Sequence, residues 1–115
     1  LSTHPDFNCP TETGFIPDAG AIHAFIRASA GREPDHIIGK PNRDSMDYLV
    51  AREGVDKART AMVGDRLYTD VAAGVNNGYT GILVLSGEAT MEDVKISDVE
   101  PDLIFDSVKD MIPFL

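Results

Sequence analysis

Met62-Val63-Gly64-Asp65-Arg66-Leu67-Tyr68-Thr69-Asp70 is the stretch that decides how this chain is read. It begins inside a short apolar run, residues 60–63, that reads as a buried strand. Gly64 lets the chain turn, which leaves Asp65 at the carboxyl end of that strand. Open α/β sheets bind their ligands at that end. Asp70 stands five residues further on, just inside a following helix, so the two carboxylates can face one small space. Oxygen donors crowded in this way suit a hard cation such as Mg²⁺, which takes one or two protein carboxylates and leaves room for a phosphate. Gly39-Lys40-Pro41-Asn42 ends another short apolar run and adds a fixed cation, which a phosphoryl group beside a metal requires.

Outward from this stretch, strands and helices alternate. Residues 36–38 read as a short strand. Asn42 is placed to cap a helix that presents Met46, Leu49 and Val50 on one face and stops at Gly54. After the 60–63 strand a helix is expected over 67–77, closed by Gly78. A second buried strand follows at 80–85, then a weak helix near 91–94, a strand at Leu103-Ile104-Phe105, and a short last helix before Pro113. Strands separated by helices of this length imply right-handed crossovers and a parallel sheet. The expected class is α/β, with parallel strands forming half of a Rossmann-like three-layer sandwich.

The first third, residues 1–31, has a different texture. Pro5, Pro10, Gly14 and Pro17 punctuate what reads as an irregular stretch anchored by Phe7 and Phe15. A helix then runs from about Ala19 to Ala30, with Ile22, Phe25 and Ile26 on one stripe, Asp18 as its N-cap and Gly31 as its terminator.

Composition excludes several classes. An apolar content of 43% and a charged content of 25% are those of a folded domain rather than a disordered segment. The net charge of −9 argues against nucleic-acid binding, which needs a basic face. No uninterrupted apolar run is longer than the four residues 82–85, far too short for a membrane span or a signal-peptide core. One cysteine, Cys9, excludes an intrachain disulfide and fits a reducing compartment, so the cytoplasm is expected. Cys9 has no basic neighbour to activate it, and His4, His23 and His36 share no zinc-like spacing with it.

The pairing of Gly39-Lys40-Pro41 with Gly64-Asp65-x-x-x-Thr69-Asp70 resembles the third and fourth motifs of the haloacid dehalogenase (HAD) superfamily. Thr3-His4-Pro5-Asp6, Pro10, Gly14, Pro17-x-Ala19-Gly20, Leu83-x-Leu85-Ser86-Gly87 and Pro101-Asp102…Asp106-Ser107-Val108 resemble its NagD-like, p-nitrophenylphosphatase-type branch. The resemblance runs along essentially the whole chain. It implies that residues 1–33 are the carboxy-terminal end of a cap domain with its return linker, and that 34–115 are the carboxy-terminal half of the core domain. The implied activity is Mg²⁺-dependent hydrolysis of a small phosphorylated metabolite through an aspartyl-phosphate intermediate. By the same resemblance Asp65 is the metal ligand and Lys40 neutralises the phosphoryl oxygens and orients the nucleophile. Asp70 holds the site near the metal or by pairing with the lysine, and His4, Pro5 and Asp6 form a segment facing the substrate from the cap. The family more often has Asn where His4 stands, and Gly where Asp18 stands. Its amino-terminal Asp-x-Asp, which carries the nucleophile, has no counterpart here. The chain is therefore expected to be part of a longer enzyme and inactive alone, with the missing amino-terminal half as its partner.

Each residue also has a plainer reading. Asp65 could be a turn residue bonding its own backbone, and Asp70 could be favoured in a first helical turn simply by the helix dipole. Lys40 could be an ordinary surface lysine. Arg66 is expected to pair with a surface carboxylate. At the level of function the alternatives are a non-catalytic acidic α/β binding module and a receiver-like phosphoacceptor domain. Receivers place their lysine after the acidic residues, whereas Lys40 precedes Asp65. Without a neighbouring strand, either a second chain should complete the sheet or residues 60–63 should form an open edge with Asp65 displaced from metal-binding geometry; an incomplete sheet invites association and puts a homo-oligomer among the expected partners.

Overall fold

A computed structural model describes residues 1–114. The chain divides into two compact units, Leu1–Gly39 and Lys40–Leu115.

In the amino-terminal unit the stretch expected to be irregular is a hairpin. Strand β1 (Asn8–Thr11) pairs antiparallel with β2 (Gly14–Pro17) across a two-residue turn. Pro10 opposes Phe15 and Pro17 opposes Asn8, so both prolines fall on the same parity of the ladder. At alternate positions of an antiparallel pair the N–H groups point away from the partner. Both prolines fit there without costing a hydrogen bond, and for that reason the prolines misled the sequence reading. Helix α1 (Ala19–Ala30) follows with the bounds expected. The Asp18 carboxylate accepts from Ala19 N–H at 2.8 Å, and Gly31 N–H closes the last turn on the Arg27 carbonyl. Residues 36–38 contribute one parallel bridge, Ser2 with Ile37, rather than a strand.

The second unit opens with α2 (Asp44–Glu53). Arg43, rather than the expected Asn42, stands in the cap position, with helical dihedrals and no side-chain cap bond of its own. Asp44 and Asp47 in the first turn complement the helix dipole instead. A turn of 3₁₀-helix (Lys57–Arg59) leads into β3 (Ala61–Gly64), followed by a wide helical turn (Leu67–Val71), α3 (Ala72–Val75) and β4 (Thr80–Val84). Helix α4 (Met91–Ile96) starts at a capping box between Thr90 and Asp93 and runs on past the expected end at Val94. Strand β5 (Leu103–Phe105) and a 3₁₀ segment (Val108–Phe114) complete the unit.

The three strands form a parallel sheet in the order β3-β4-β5, as the alternating pattern implied. β4 is central and nearly all buried, whereas β3 pairs on one side only among the described residues. The core gathers Leu67, Val71, Leu83 and Ala89, with Val75, Leu85, Val94 and Val99 packed against them. The carboxyl end of β3 therefore lies directly over the best-packed part of the unit. No helix among the described residues is long and apolar enough to cross a membrane.

Two predictions test this packing. Leu83 is fully buried, so Leu83→Ala should cost about 2–5 kcal/mol in urea unfolding, while Ile96→Ala at an exposed position should stay within about 0.5 kcal/mol. On the surface, Lys57 and Arg43 donate to Asp47 and hold its carboxyl below the usual aspartate range. A depressed carboxylate stabilises the fold above its unfolded pKa and loses that contribution as pH falls through its folded value. The difference in melting temperature between the native chain and Asp47→Asn should accordingly be present at pH 7 and vanish on acidification.

Candidate active site

Leaving β3 at Gly64, the chain enters the wide turn. Asp70 N–H and Val71 N–H both reach the Arg66 carbonyl, at 3.0 and 3.1 Å. The second bond spans five residues, a π-type turn of the kind that recurs at functional sites. It carries Asp70 back over the strand end. There Asp70 Oδ2 accepts from Arg66 N–H at 3.3 Å, and Oδ1 accepts from the Lys40 ammonium. Gly64 makes this possible, since a Cβ there would occupy the space of the Asp70 side chain. Asp70 is buried at 6% exposure, while the Lys40 side chain is 47% exposed. The anion is fixed beneath, and the cation keeps donors free for a second anion.

Asp65 sits on the other side of the same turn. Its Oδ2 accepts from Glu88 N–H at 2.9 Å, and its carbonyl accepts from Ala89 N–H at 3.0 Å. Gly87 lies so close to the carboxylate that a Cβ there would overlap it. Arg66 finds the surface carboxylate expected for it in Glu88, with Nε 2.6 Å from Oε2, and Tyr68 O–H donates to Glu88 Oε1 at 3.2 Å. Behind Lys40, Asn77 Nδ2 donates to the Pro41 carbonyl at 3.1 Å and to the Ala73 carbonyl at 2.9 Å. The Lys40-Pro41 peptide is cis.

Lys40 and Asp70 are thus in direct contact, and Asp65 adjoins them through the backbone of Arg66. Asp65 Oδ1 takes no protein hydrogen bond among the described residues, and no three His, Cys, Asp or Glu side chains cluster there as a metal cage. That donor set fits a cation drawing one carboxylate from this chain, within the one or two that Mg²⁺ ordinarily uses. Asp70, already committed to Lys40 and Arg66, is the less available oxygen donor. In the amino-terminal unit His4 lies between two acids, with Nε2 3.3 Å from Asp18 Oδ1 and Nδ1 3.9 Å from Asp6 Oδ2. The Pro5 and Asp6 carbonyls rest against Gly20, whose N–H donates to Asp6 O at 2.7 Å.

The sequence reading missed Glu88 and Asn77 and named Gly87 only as part of the resemblance. A signal existed for Glu88. Ser86-Gly87-Glu88 follows the central strand and so reaches the same sheet end as Asp65.

A parallel sheet with this lysine and these acids at its carboxyl end defines a HAD-type hydrolase core. Residues 37–111 match the HAD-hydrolase-like family model, and the chain belongs to that family, in its NagD-like, p-nitrophenylphosphatase-type branch. An acid sugar phosphatase of Staphylococcus aureus (strain MRSA252) is 39% identical over 112 residues, which are 97% of this chain and 43% of that protein. Among solved structures, a 4-nitrophenylphosphatase from Thermotoga maritima superposes with a TM-score of 0.90 at 51% identity, covering 96% of this chain and 42% of that one. For a p-nitrophenyl phosphatase from Archaeoglobus fulgidus the TM-score is 0.85 at 38% identity, with coverage of 96% and 44%. The chain spans about two-fifths of the length of these relatives.

Gly64→Ala probes the close approach on which this geometry rests. The added methyl must push the Asp70 side chain aside, and an overpacked site of this kind typically costs about 1–3 kcal/mol, measurable in urea unfolding.

Proposed function

We propose that the chain is part of a Mg²⁺-dependent phosphatase that hydrolyses a small phosphorylated metabolite through an aspartyl-phosphate intermediate. The observation that carries this reading is the Lys40–Asp70 ion pair, set beside Asp65 at the carboxyl end of β3. Lys40 supplies a compact positive charge to the phosphoryl oxygens, held in place by Asp70 rather than left to swing in solvent. Asp65 would hold Mg²⁺ through Oδ1. When bound, the cation draws charge from the phosphoryl group and orients it for in-line attack. The protein's net charge of −9 would repel an anionic substrate, so these two local cations are what admit it.

In this reading the nucleophilic aspartate comes from a part of the protein other than these 115 residues, which contain no Asp-x-Asp. Residues 1–33 are assigned to the end of a cap domain and its return linker, and 34–115 to the carboxy-terminal half of the core. His4, Pro5 and Asp6 are assigned to the substrate-facing segment of the cap. Cytoplasmic placement follows from the single cysteine and the expected metabolite substrate. The open edge of β3 leaves self-association available to the isolated chain.

The 115 residues alone should not turn over p-nitrophenyl phosphate. In the full-length protein, Asp65→Asn should lower turnover sharply and raise the Mg²⁺ concentration needed for half-maximal rate. Asp70→Asn should cost about 10–100-fold, as expected for a partner that orients a working group. Steady-state kinetics across a Mg²⁺ titration checks both. An Asp65→Asn enzyme with an unaltered Mg²⁺ requirement would refute the metal assignment.

A further inference from the structure

We propose that Glu88 is a positioning residue for Asp65. Its side chain anchors the loop after β4, so that its own backbone N–H holds one Asp65 oxygen and leaves the other turned toward a divalent cation. The inference rests on the reading of Asp65 as the Mg²⁺ ligand.

Contacts from one residue reach three positions of the motif loop. Glu88 N–H donates to Asp65 Oδ2 at 2.9 Å, Oε2 lies 2.6 Å from Arg66 Nε, and Oε1 accepts from Tyr68 O–H at 3.2 Å. Two carboxylate oxygens with separate donors fix the side chain, and a fixed side chain fixes the backbone that bears the N–H. At its far end the loop is held by the buried Ala89, whose N–H donates to the Asp65 carbonyl at 3.0 Å, and the Glu88 side chain is the anchor on the carboxylate side. Gly87 contributes no side chain, and the bare Gly87 Cα is what lets the Asp65 carboxylate approach.

An exposed ion pair ordinarily contributes little to stability. Here the Arg66 side chain is only 18% exposed, and the pair's effect is directional rather than energetic. A carboxylate free to rotate presents either oxygen to a metal. With Oδ2 bound to the Glu88 N–H, only Oδ1 remains. Mg²⁺ tolerates little departure from octahedral geometry, so a ligand held in one orientation binds it more tightly than one that must be ordered first.

The test uses the full-length protein. Glu88→Ala should raise the dissociation constant for Mg²⁺ about tenfold, the lower end of the range for groups that orient metal ligands. Isothermal titration calorimetry measures it, with Mn²⁺ binding by electron paramagnetic resonance as a second readout. Because the defect is one of metal affinity, saturating Mg²⁺ should bring turnover back to within about twofold of the native enzyme. Glu88→Gln and Tyr68→Phe each weaken one arm of the anchor and should give smaller shifts; they also serve if Glu88→Ala does not fold. An unchanged dissociation constant in all three variants, with Asp65→Asn weakened, overturns the role of Glu88 and leaves the Asp65 reading intact. A turnover loss that no Mg²⁺ concentration restores likewise overturns it, because Glu88 would then act on the fold at large. Unaltered Mg²⁺ affinity in Asp65→Asn overturns both.

Discussion

The carboxylate of Asp70 is the constraint around which the rest of the site is arranged. It is a buried anion, and a buried anion needs compensation. Two groups provide it, the Lys40 ammonium from the preceding loop and the Arg66 N–H from its own turn. Meeting both at once requires the chain to double back over the end of β3. That in turn requires a glycine at position 64 and a turn one residue wider than an α-helical one. The same turn drops Leu67 and Val71 onto Leu83, so the electrostatic arrangement and the hydrophobic core are set by the same few residues.

This sharing explains why the two acids of the motif are not equivalent. Asp70 is spent on structure and on the lysine. Asp65 is held from the side by a backbone N–H in the loop after β4 and keeps an oxygen available. Two carboxylates that look like a matched pair in the sequence thereby have different surroundings, one paired with a lysine and one held by a backbone N–H.

Much of the fold was legible because it is local or periodic. Helix α1 was recognisable from its apolar stripe and from Asp18 and Gly31 at its ends, and β4 and β5 from short apolar runs between turn residues. What was misread depends on partners distant in sequence or on backbone parity. The hairpin at residues 8–17 hides behind its prolines, which are harmless only in the register that pairing imposes. The π-type turn leaves no periodic trace in so few residues. Asn42 has the chemistry of a cap, but the helix opens one residue later than expected, with Arg43 in the cap position. Lys40, Asp65 and Asp70 stood out because their motifs are contiguous, and the fold brings the three to one end of the sheet; Arg66 was correctly given a carboxylate partner. Glu88 and Asn77 were invisible because each acts across a sequence separation that only the folded sheet closes.

The one-sided pairing of β3 has a colloidal consequence. Natural sheets protect exposed strand edges with lysine, proline or bulges, and Ala61, Met62 and Val63 offer none of these. Charged gatekeepers flank the strand at Arg59 and Asp65, but the principal defence of this stretch is the mutual repulsion of molecules carrying nine excess negative charges. Repulsion of that kind acts over a Debye length of about 10 Å at 0.1 M salt and only about 3 Å at 1 M. Handled apart from whatever covers that edge, the polypeptide should be most soluble in dilute buffer and should add strand to strand as ionic strength rises.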